Sequence, residues 1–459
     1  MKHFPRKLLY LAVLLLFLSG CTPAQPTVAT PATEETQATQ PTATEPVTEV
    51  PTEPATEPAT LPAPEPLTVV STATIAATGD LLMHLPVINS GLQPDGSYEY
   101  SSMFRYLAPY ATAADYAAAN LETTLCGSSN GYPYSGYPKF NCPDGLVPSA
   151  AAAGFDMLLT ANNHCNDTGT TGFDRTLRVI ADNGLASLGT KATTEEPDYR
   201  IVELNGISVG LICYTYTVPI ESGQPNVNGL PLTGGTADRI NQFDYEQLDA
   251  FYARFQAQLD AMRDAGAEAT VLFIHWGEEY QLNANRWQKT IAQALCDLGV
   301  DVIIGTHPHV VQAVEFLTSA TDASHHTLCL YSTGNAVSNQ RKGSVSALNS
   351  AHTEDGVLFR VTFARYSDGS VVLEHADAIP LWVYRTGSGS SREYRILPLD
   401  PEIRADWQTQ YSWSNSALNA AVDSFARTMA QLGSGIDDFR AYQAQRFSRN
   451  TCADNKTQE

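Results

Sequence analysis

The chain has 459 residues and carries 49 acidic against 27 basic side chains, which gives a formal net charge of -22. So acidic a chain is a poor partner for nucleic acids, because phosphate binding depends on Lys and Arg side chains that neutralise the backbone. The length is ample for a large buried core, and beyond the N-terminal region the composition shows no second break. We therefore expect one large domain and no nucleic-acid partner.

The N-terminal residues have the pattern of a secretory signal. Basic residues precede an apolar run at residues 8–18, which is shorter than the roughly 20 residues that a membrane-spanning helix needs. Small residues follow the run and precede Cys21, and this pattern resembles the bacterial lipobox. The resemblance implies a lipoprotein signal peptide at residues 1–20, a lipidated Cys21 and a location on the extracellular face of the cytoplasmic membrane.

Residues 21–67 are predicted to be the lipidated cysteine and a disordered linker. Nearly all of them are Thr, Pro, Ala, Glu, Val or Gln, so the segment has little apolar surface to bury. Its prolines favour extended geometry at about 3.1 Å per residue, and such a tether would hold the domain on the order of 100 Å from the bilayer.

Beyond the linker, short apolar runs alternate with helical patterns, which favours an α/β fold. The β-rich runs at residues 199–204 and 207–214 flank Asn205-Gly206, a strong hairpin signal, so the sheets are predicted to be mixed. We place the main domain at residues 68–385. A C-terminal extension follows at residues 386–459, with a peripheral helix near residues 416–432.

Polar side chains cluster where the predicted strands end. In open α/β sheets, ligands bind at the carboxyl ends of the strands. The cluster mixes carboxylates, amide oxygens and imidazoles, and this mixture suits Zn, Mn or Fe. Its members are Asp80, Glu122, Asn162, Asn163, His164, His275, Glu279, His307 and His309.

Two of these residues, His307 and His309, are separated by a single proline. Alternate residues of an extended segment point to the same side, so we expect both imidazoles to face one ligand. A two-metal site, with ions ~3.5–4 Å apart, needs a bridging carboxylate together with terminal His and Asn ligands.

Six motifs occur in a fixed order along the chain, and together they resemble the CapA family of poly-γ-glutamate capsule biosynthesis proteins. That family in turn resembles the calcineurin-like metallophosphoesterases. The resemblance implies a four-layer α/β/β/α sandwich with mixed sheets that binds one or two divalent transition metal ions. The motifs are GD at 79–80, NLE at 120–122, ANNH at 161–164, HWGEEY at 275–280, GTHPHVVQ at 305–312 and YSTGNAV at 331–337.

The same resemblance implies roles for individual residues. His164 would be the general acid that protonates a leaving group. The first motif departs from the phosphoesterase pattern because it has no Asp-x-His pair, and Glu122 stands where an Asp usually bridges. His84 is a candidate for the missing imidazole, and Asn162, Glu279 and Asn335 are further candidates. The implied metal ligands are Asp80, Glu122, Asn163, His275, His307 and His309.

A loop rich in Gly, Tyr and Pro lies between Cys126 and Cys142. An oxidising compartment would allow a disulfide between these two cysteines. The aromatic residues at 132–140 form either a substrate lip or a packed surface loop.

Two functional hypotheses follow. The first is an extracellular metal-dependent hydrolase or transferase that acts on a phosphoester or γ-glutamyl amide, with a metal-bound water as nucleophile. The second is a non-catalytic component that binds, exports or assembles an anionic polymer such as poly-γ-glutamate, with metal bridging to its carboxylates. A weaker third is a structural domain whose site has decayed. The expected partners are the polymer, the membrane through the lipid anchor, and a membrane synthase complex.

Overall fold

The computed structural model describes residues 67–129 and 131–453, with side chains described up to residue 446. These residues belong to one compact unit. The predicted signal peptide, Cys21 and all but the last residue of the linker lie outside the described residues. Within the described part, no helix is both long enough and apolar enough to cross a membrane.

Seventeen strands are present in the described residues. They are β1 (Val69–Leu81), β2 (Tyr116–Asn120), β3 (Met157–Leu159), β4 (Ala186–Leu188), β5 (Tyr199–Leu204), β6 (Ile207–Pro219), β7 (Pro225–Val227), β8 (Leu230–Pro231), β9 (Gln242–Asp244), β10 (Ala269–His275), β11 (Val302–Thr306), β12 (Val314–Thr318), β13 (His326–Leu330), β14 (Asn335–Val337), β15 (Asp355–Tyr366), β16 (Val371–Thr386) and β17 (Glu393–Pro398).

The strands form two mixed sheets. The first sheet has the order β17-β16-β15-β1-β2-β3-β4, with β14 also paired to β1. Strands β1 to β4 run parallel, whereas β15, β16 and β17 are antiparallel. The second sheet has the order β12-β13-β11-β10-β6-β7-β8, and its central strands β6, β10, β11 and β13 are parallel. The predicted hairpin at Asn205-Gly206 joins β5 to β6.

Ten α-helices accompany the sheets in the part of the chain that the structure describes. They are α1 (Leu85–Ser90), α2 (Ser101–Phe104), α3 (Ala108–Thr112), α4 (Leu146–Ala152), α5 (Gly169–Asp182), α6 (Leu248–Asp264), α7 (Arg286–Leu298), α8 (Trp407–Gln410), α9 (Asn415–Leu432) and α10 (Gly435–Ala453).

The side chains of each strand divide between two buried layers. Ile75 and Ala77 of β1 lie in a central core together with Val271 of β10, so this core is shared by the two sheets. Ala76 faces the opposite way, into a layer formed with α1 to α4. On the far side, β10 packs Leu272 against α6 and α7. This arrangement confirms the predicted four-layer α/β/β/α sandwich with mixed sheets.

The C-terminal segment packs against both the first sheet and the central core. Strand β17 extends the first sheet, and Trp407 packs with Trp382 of β16 in a separate buried cluster. The predicted helix near residues 416–432 is α9, and its Arg427 forms a two-pronged hydrogen-bonded ion pair with the buried Asp355 of β15. The following helix α10 contributes Phe439 to the central core.

Candidate metal centre

The centre lies where parallel strands of both sheets end. Asp80 ends the β1–β2 pairing, and the register shifts between Thr78 and Asp80. The bulge falls at Gly79, where an added Cβ would lie 1.8 Å from the Gly334 carbonyl oxygen, so only glycine fits. The NLE motif begins at the last residue of β2, the ANNH motif follows β3, and His275 is the last residue of β10.

Asn120 orients the two carboxylates of the centre. Its Nδ2 donates to Asp80 Oδ1 at 2.8 Å and to Glu122 Oε2 at 3.4 Å. Its own Oδ1 accepts a hydrogen bond from Asn162 Nδ2 at 3.1 Å. One amide therefore fixes both acidic side chains, a role that the motif pattern did not assign to it.

Potential ligand atoms converge in two groups that share one carboxylate. The first group contains Glu122, His275 and His307, and the second contains Asp80, Glu122 and His309. Within each group the ligand atoms lie within 4.8 Å of one another. Glu122 Oε1 is 3.7 Å from both His275 Nε2 and His309 Nε2. This is the arrangement that a bridging carboxylate between two ions requires.

The backbone after β11 divides the two adjacent histidines between these groups. His307 and His309 have positive φ values of 97° and 56°, in a backbone region that residues other than glycine rarely occupy. The expectation that both imidazoles face one ligand is therefore wrong: the segment is not extended, and the two rings serve different groups. Such strain persists only where surrounding contacts enforce it, and it is concentrated at functional sites.

Further contacts hold the ligand rings in place. His275 Nδ1 lies 2.9 Å from Thr306 Oγ1, and its Nε2 lies 3.1 Å from Asn163 Oδ1. The predicted amide ligand thus points at the first group. Tyr216 Oη lies 3.3 Å from His307 Nε2. Such outer contacts fix which nitrogen of an imidazole is available as a ligand.

The residues present suit divalent cations. Glu122 Oε1 and His307 Nδ1 are buried and have no hydrogen-bond partner among the described residues. Burial, followed by the charges of Asp80 and Glu279, raises the pKa of Glu122 well above its usual value. Burial and the neighbouring imidazoles lower the pKa values of His275 and His307. A divalent cation would stabilise both the carboxylates and the neutral imidazoles.

At His309 two opposing effects act on the imidazole. Burial lowers its pKa, but the hydrogen bond and charge of Asp80 outweigh burial and raise the pKa overall. The imidazole and the carboxylate meet at 2.9 Å, between His309 Nδ1 and Asp80 Oδ2. His309 therefore lies directly against Asp80, the carboxylate of the first motif.

The proposed general acid His164 has a carboxylate partner that the sequence did not reveal. Its Nδ1 lies 2.7 Å from Asp167 Oδ2, and both side chains are buried. Asn228 Nδ2 donates to Asp167 Oδ1 at 2.8 Å. The spacing of three residues in a short turn was the available signal for this pair. Asp167 holds the His164 ring so that Nε2 remains the nitrogen free to exchange a proton.

The additional candidates have mostly supporting positions. His84 belongs to neither group of potential ligands: its Nδ1 accepts from the Asn339 backbone at 3.3 Å. Asn162 donates to the Leu121 carbonyl, and its Oδ1 accepts from the His164 backbone. Asn335 donates to the His309 carbonyl oxygen at 3.1 Å and so supports that strained residue. The charge of Glu279 contributes to the raised pKa values of Glu122 and His309.

The predicted disulfide is corrected by the structure, which does not join Cys126 to Cys142. The loop between them is closed by Asn141 instead, whose Oδ1 accepts from the Cys126 backbone and whose Nδ2 donates to three loop carbonyls. The Cys142 thiol donates to the Pro143 carbonyl at 3.4 Å. Hydrogen bonds of Asn141 therefore close the loop that the sequence pattern predicted to be closed by a disulfide.

Taken together, a four-layer sandwich with two buried, carboxylate-sharing ligand groups at its strand ends defines a candidate dinuclear metalloprotein. Comparison with known proteins then identifies the family. The sequence model described as "Bacterial capsule synthesis protein PGA_cap" matches residues 74–340. The chain belongs to this family.

Individual relatives agree with the family match. "Capsule biosynthesis protein CapA" of Bacillus anthracis is 24% identical over 346 residues, which cover 73% of this chain and 75% of that protein. "PGA biosynthesis protein CapA" of Bacillus subtilis (strain 168) is 26% identical over 243 residues, which cover 52% of this chain and 57% of that protein. Among solved structures, the NAD nucleotidase NadN of Haemophilus influenzae aligns with a TM-score of 0.38 and 11% identity, over 83% of this chain and 68% of that chain.

Proposed function

We propose that this chain acts in the synthesis of a poly-γ-glutamate capsule or a related envelope polymer, as an extracellular metal-dependent hydrolase or transferase. The observation that carries the proposal is a pair of ligand groups sharing Glu122, with the His164–Asp167 pair close by. Two divalent ions of Zn, Mn or Fe suit these ligands. The bond acted on is a γ-glutamyl amide or a phosphoester.

The ligand residues have distinct tasks in this proposal. His275, His307 and Asn163 would hold one ion, Asp80 and His309 would hold the other, and Glu122 would contribute to both. Bound ions would supply Lewis acidity and lower the pKa of a coordinated water to about 7. All of these side chains are at most 5% exposed, so bulk water is excluded and charges interact strongly.

In this proposal His164 is the general acid. Its protonated Nε2 would donate a proton to the leaving group as the bond to that group breaks. Asp167 keeps the ring in the correct orientation through the 2.7 Å contact to Nδ1. Phe140 packs edge-on against the ring at a centroid distance of 4.6 Å and shields it from solvent.

Metal content is the first test. The full chain, purified without chelator, is compared with the His307→Ala/His309→Ala variant by inductively coupled plasma mass spectrometry. We expect near two equivalents of transition metal in the wild type and a large loss in the variant, because one ligand is removed from each group. His325→Ala/His326→Ala is the matched control, since this pair lies outside both groups. An equal metal content in all three proteins would refute the proposal.

Turnover separates the catalytic role from the alternative of a polymer-binding assembly component. Metal-loaded wild type and His164→Ala are incubated with γ-linked glutamate oligomers and with phosphoesters. Loss of turnover in His164→Ala with unchanged metal content supports catalysis. Polymer binding without turnover in a metal-loaded wild type supports the assembly role instead.

We also propose that the lipid on Cys21 anchors the chain to the outer face of the cytoplasmic membrane, where it meets the polymer and a membrane synthase complex. The signal pattern before Cys21 supports this proposal. Wild-type cells should incorporate labelled palmitate into the protein, whereas Cys21→Ala cells should not. Equal labelling of the two chains would contradict the anchor.

A further inference from the structure

A surface groove lies near the proposed general acid and is separated from it by the ring of Phe140. It encloses about 470 Å³ and is lined on one side by His84, Leu85 and Pro86, and on the other by the loop residues 134–139. The Phe140 ring, which follows this loop, contacts both His84, at a centroid distance of 5.3 Å, and His164, at 4.6 Å. The buried Phe140 ring is therefore the only side chain that lies between His84 of the groove and the proposed general acid in these contacts.

The loop wall of the groove is anchored to the same residues that orient His164. The Phe140 backbone donates to Asp167 Oδ2 at 2.6 Å. Asn228 Nδ2 donates to the Pro138 carbonyl at 2.9 Å as well as to Asp167. Ser135 Oγ closes the loop on itself by donating to the Lys139 carbonyl at 2.7 Å. The groove is thus preformed, which reduces the conformational entropy that the protein loses when a ligand binds.

The lining combines apolar surface with a single positive charge. Tyr137 is 74% exposed and Leu85 is 47% exposed, and both border the groove. Lys139 is exposed and, like Lys342, has no ion-pair partner among the described residues, whereas Lys191 and Lys289 are each paired with a carboxylate. An unpaired lysine in a chain of net charge -22 is complementary to an external anion rather than to the protein's own acidic groups.

We propose that this groove is a substrate subsite for an extended, carboxylate-bearing chain with flexible aliphatic spacers, and that Lys139 is the residue that selects for the carboxylate. A γ-linked glutamate chain has this chemistry, with two methylene groups and one free carboxylate in each repeat. The methylenes lie against Tyr137, Pro138 and Leu85, and the carboxylate pairs with Lys139. The inference rests on the proposed function, because it assigns a substrate path to that same centre.

The test measures binding of two probes to the full, metal-loaded chain carrying His164→Ala, which prevents turnover. One probe is a γ-linked glutamate decamer, and the other is the same decamer with its free carboxyls amidated. We expect Lys139→Met to weaken binding of the charged decamer about three- to tenfold and to reduce the salt dependence of that binding. The neutral decamer should bind equally weakly with and without the substitution.

Two further variants complete the design. Lys289→Met removes the same charge from the outer helix α7 and should leave both affinities unchanged. Tyr137→Ala should weaken both decamers alike, since it removes apolar contact and no charge. Lys139 and Tyr137 are exposed, so both variants should retain the fold, which circular dichroism and metal content verify.

Several outcomes would overturn the subsite. They are no detectable binding of the charged decamer, an unchanged affinity in Lys139→Met, or an equal loss for the charged and neutral probes. If metal is bound and turnover occurs while Lys139→Met has no effect, the subsite is wrong and the proposed function stands. If no metal is bound but the lysine-dependent binding is present, the proposed catalytic function fails and the subsite stands.

Discussion

Replacing Glu122 by Gln should change the stability of the protein in opposite directions with and without metal. Glu122 and Asp80 are both fully buried, and their ligand oxygens lie within 4.8 Å of each other. In the metal-free protein, burial and then the charge of Asp80 oppose the ionisation of Glu122. In the metal-loaded protein Glu122 is the ligand common to both positions. One substitution therefore relieves a repulsion in the first state and removes a bridge in the second.

The size of each effect can be estimated from this geometry. Two unit charges at that separation repel by about 3–4 kcal/mol at an effective dielectric constant of 20. Because the pKa of Glu122 is already raised, protonation relieves part of this repulsion, and we expect Gln to stabilise the metal-free protein by roughly 1–2 kcal/mol. For a domain of this size that corresponds to a rise in Tm of about 1–2.5 °C. Metal at a thousand times its Kd adds about 4 kcal/mol to the wild type.

Thermal unfolding measures the two states directly. Wild type, Glu122→Gln and the exposed control Glu278→Gln are scanned after chelation and again with saturating Zn or Mn. We expect Glu122→Gln to be the most stable protein without metal and the least stable with it, while Glu278→Gln follows the wild type. An equal metal-induced rise in Tm for wild type and Glu122→Gln would refute the bridging role. A fall in Tm of Glu122→Gln without metal would refute the electrostatic argument.

Three further substitutions test the surroundings of the centre. Asp167→Asn should lower turnover about 10²–10⁴-fold with unchanged metal content, because His164 loses the carboxylate that orients it; unchanged turnover would contradict this. Arg427→Ala should destabilise the protein more at pH 8 than at pH 5 in urea unfolding. Burial raises the pKa of Asp355 to about 7 despite the hydrogen bonds from Arg427, so the carboxyl group is charged and needs its partner only above that pH. Equal losses of stability at the two pH values would contradict this prediction. Gly79→Ala should reduce metal content, because its Cβ would meet a neighbouring backbone carbonyl and displace the end of β1; full metal occupancy would contradict it.

Much of the fold could be predicted because its strands are strongly patterned. The runs at Ala269–His275 and Tyr116–Asn120 begin and end where the apolar pattern does, and Asn205-Gly206 marks its hairpin unambiguously. Short elements are harder to predict, since α2 and α3 have only four and five residues, too few to establish a helical pattern. No local pattern indicated that β17 would join the first sheet, because that pairing depends on the tertiary position of β16.

The sequence predicted which residues form the centre, but not how they divide into two ligand groups. Residues at the ends of parallel strands converge by topology, so the sequence was enough to nominate Glu122, His275 and His309 together. Their allocation to two groups depends on the positive φ values of His307 and His309, which no side-chain pattern reveals. The bracing contacts of Asn120 escaped prediction for a similar reason: an amide beside two carboxylates is common in sequence and meaningful only once its hydrogen bonds are known.

The division of the ligands between the two sheets explains why this centre and the fold depend on each other. The first sheet supplies Asp80 and Glu122, and the second supplies His275 and the histidines after β11. Each group therefore draws carboxylates from one sheet and imidazoles from the other, and an ion in either position would cross-link the two sheets at their carboxyl ends. The same end of the sandwich carries buried acidic groups and strained histidines, which destabilise it without metal. Binding energy of an ion at the centre would thus also stabilise the contact between the two sheets, and the residues that would hold the ions would also hold this end of the sandwich together.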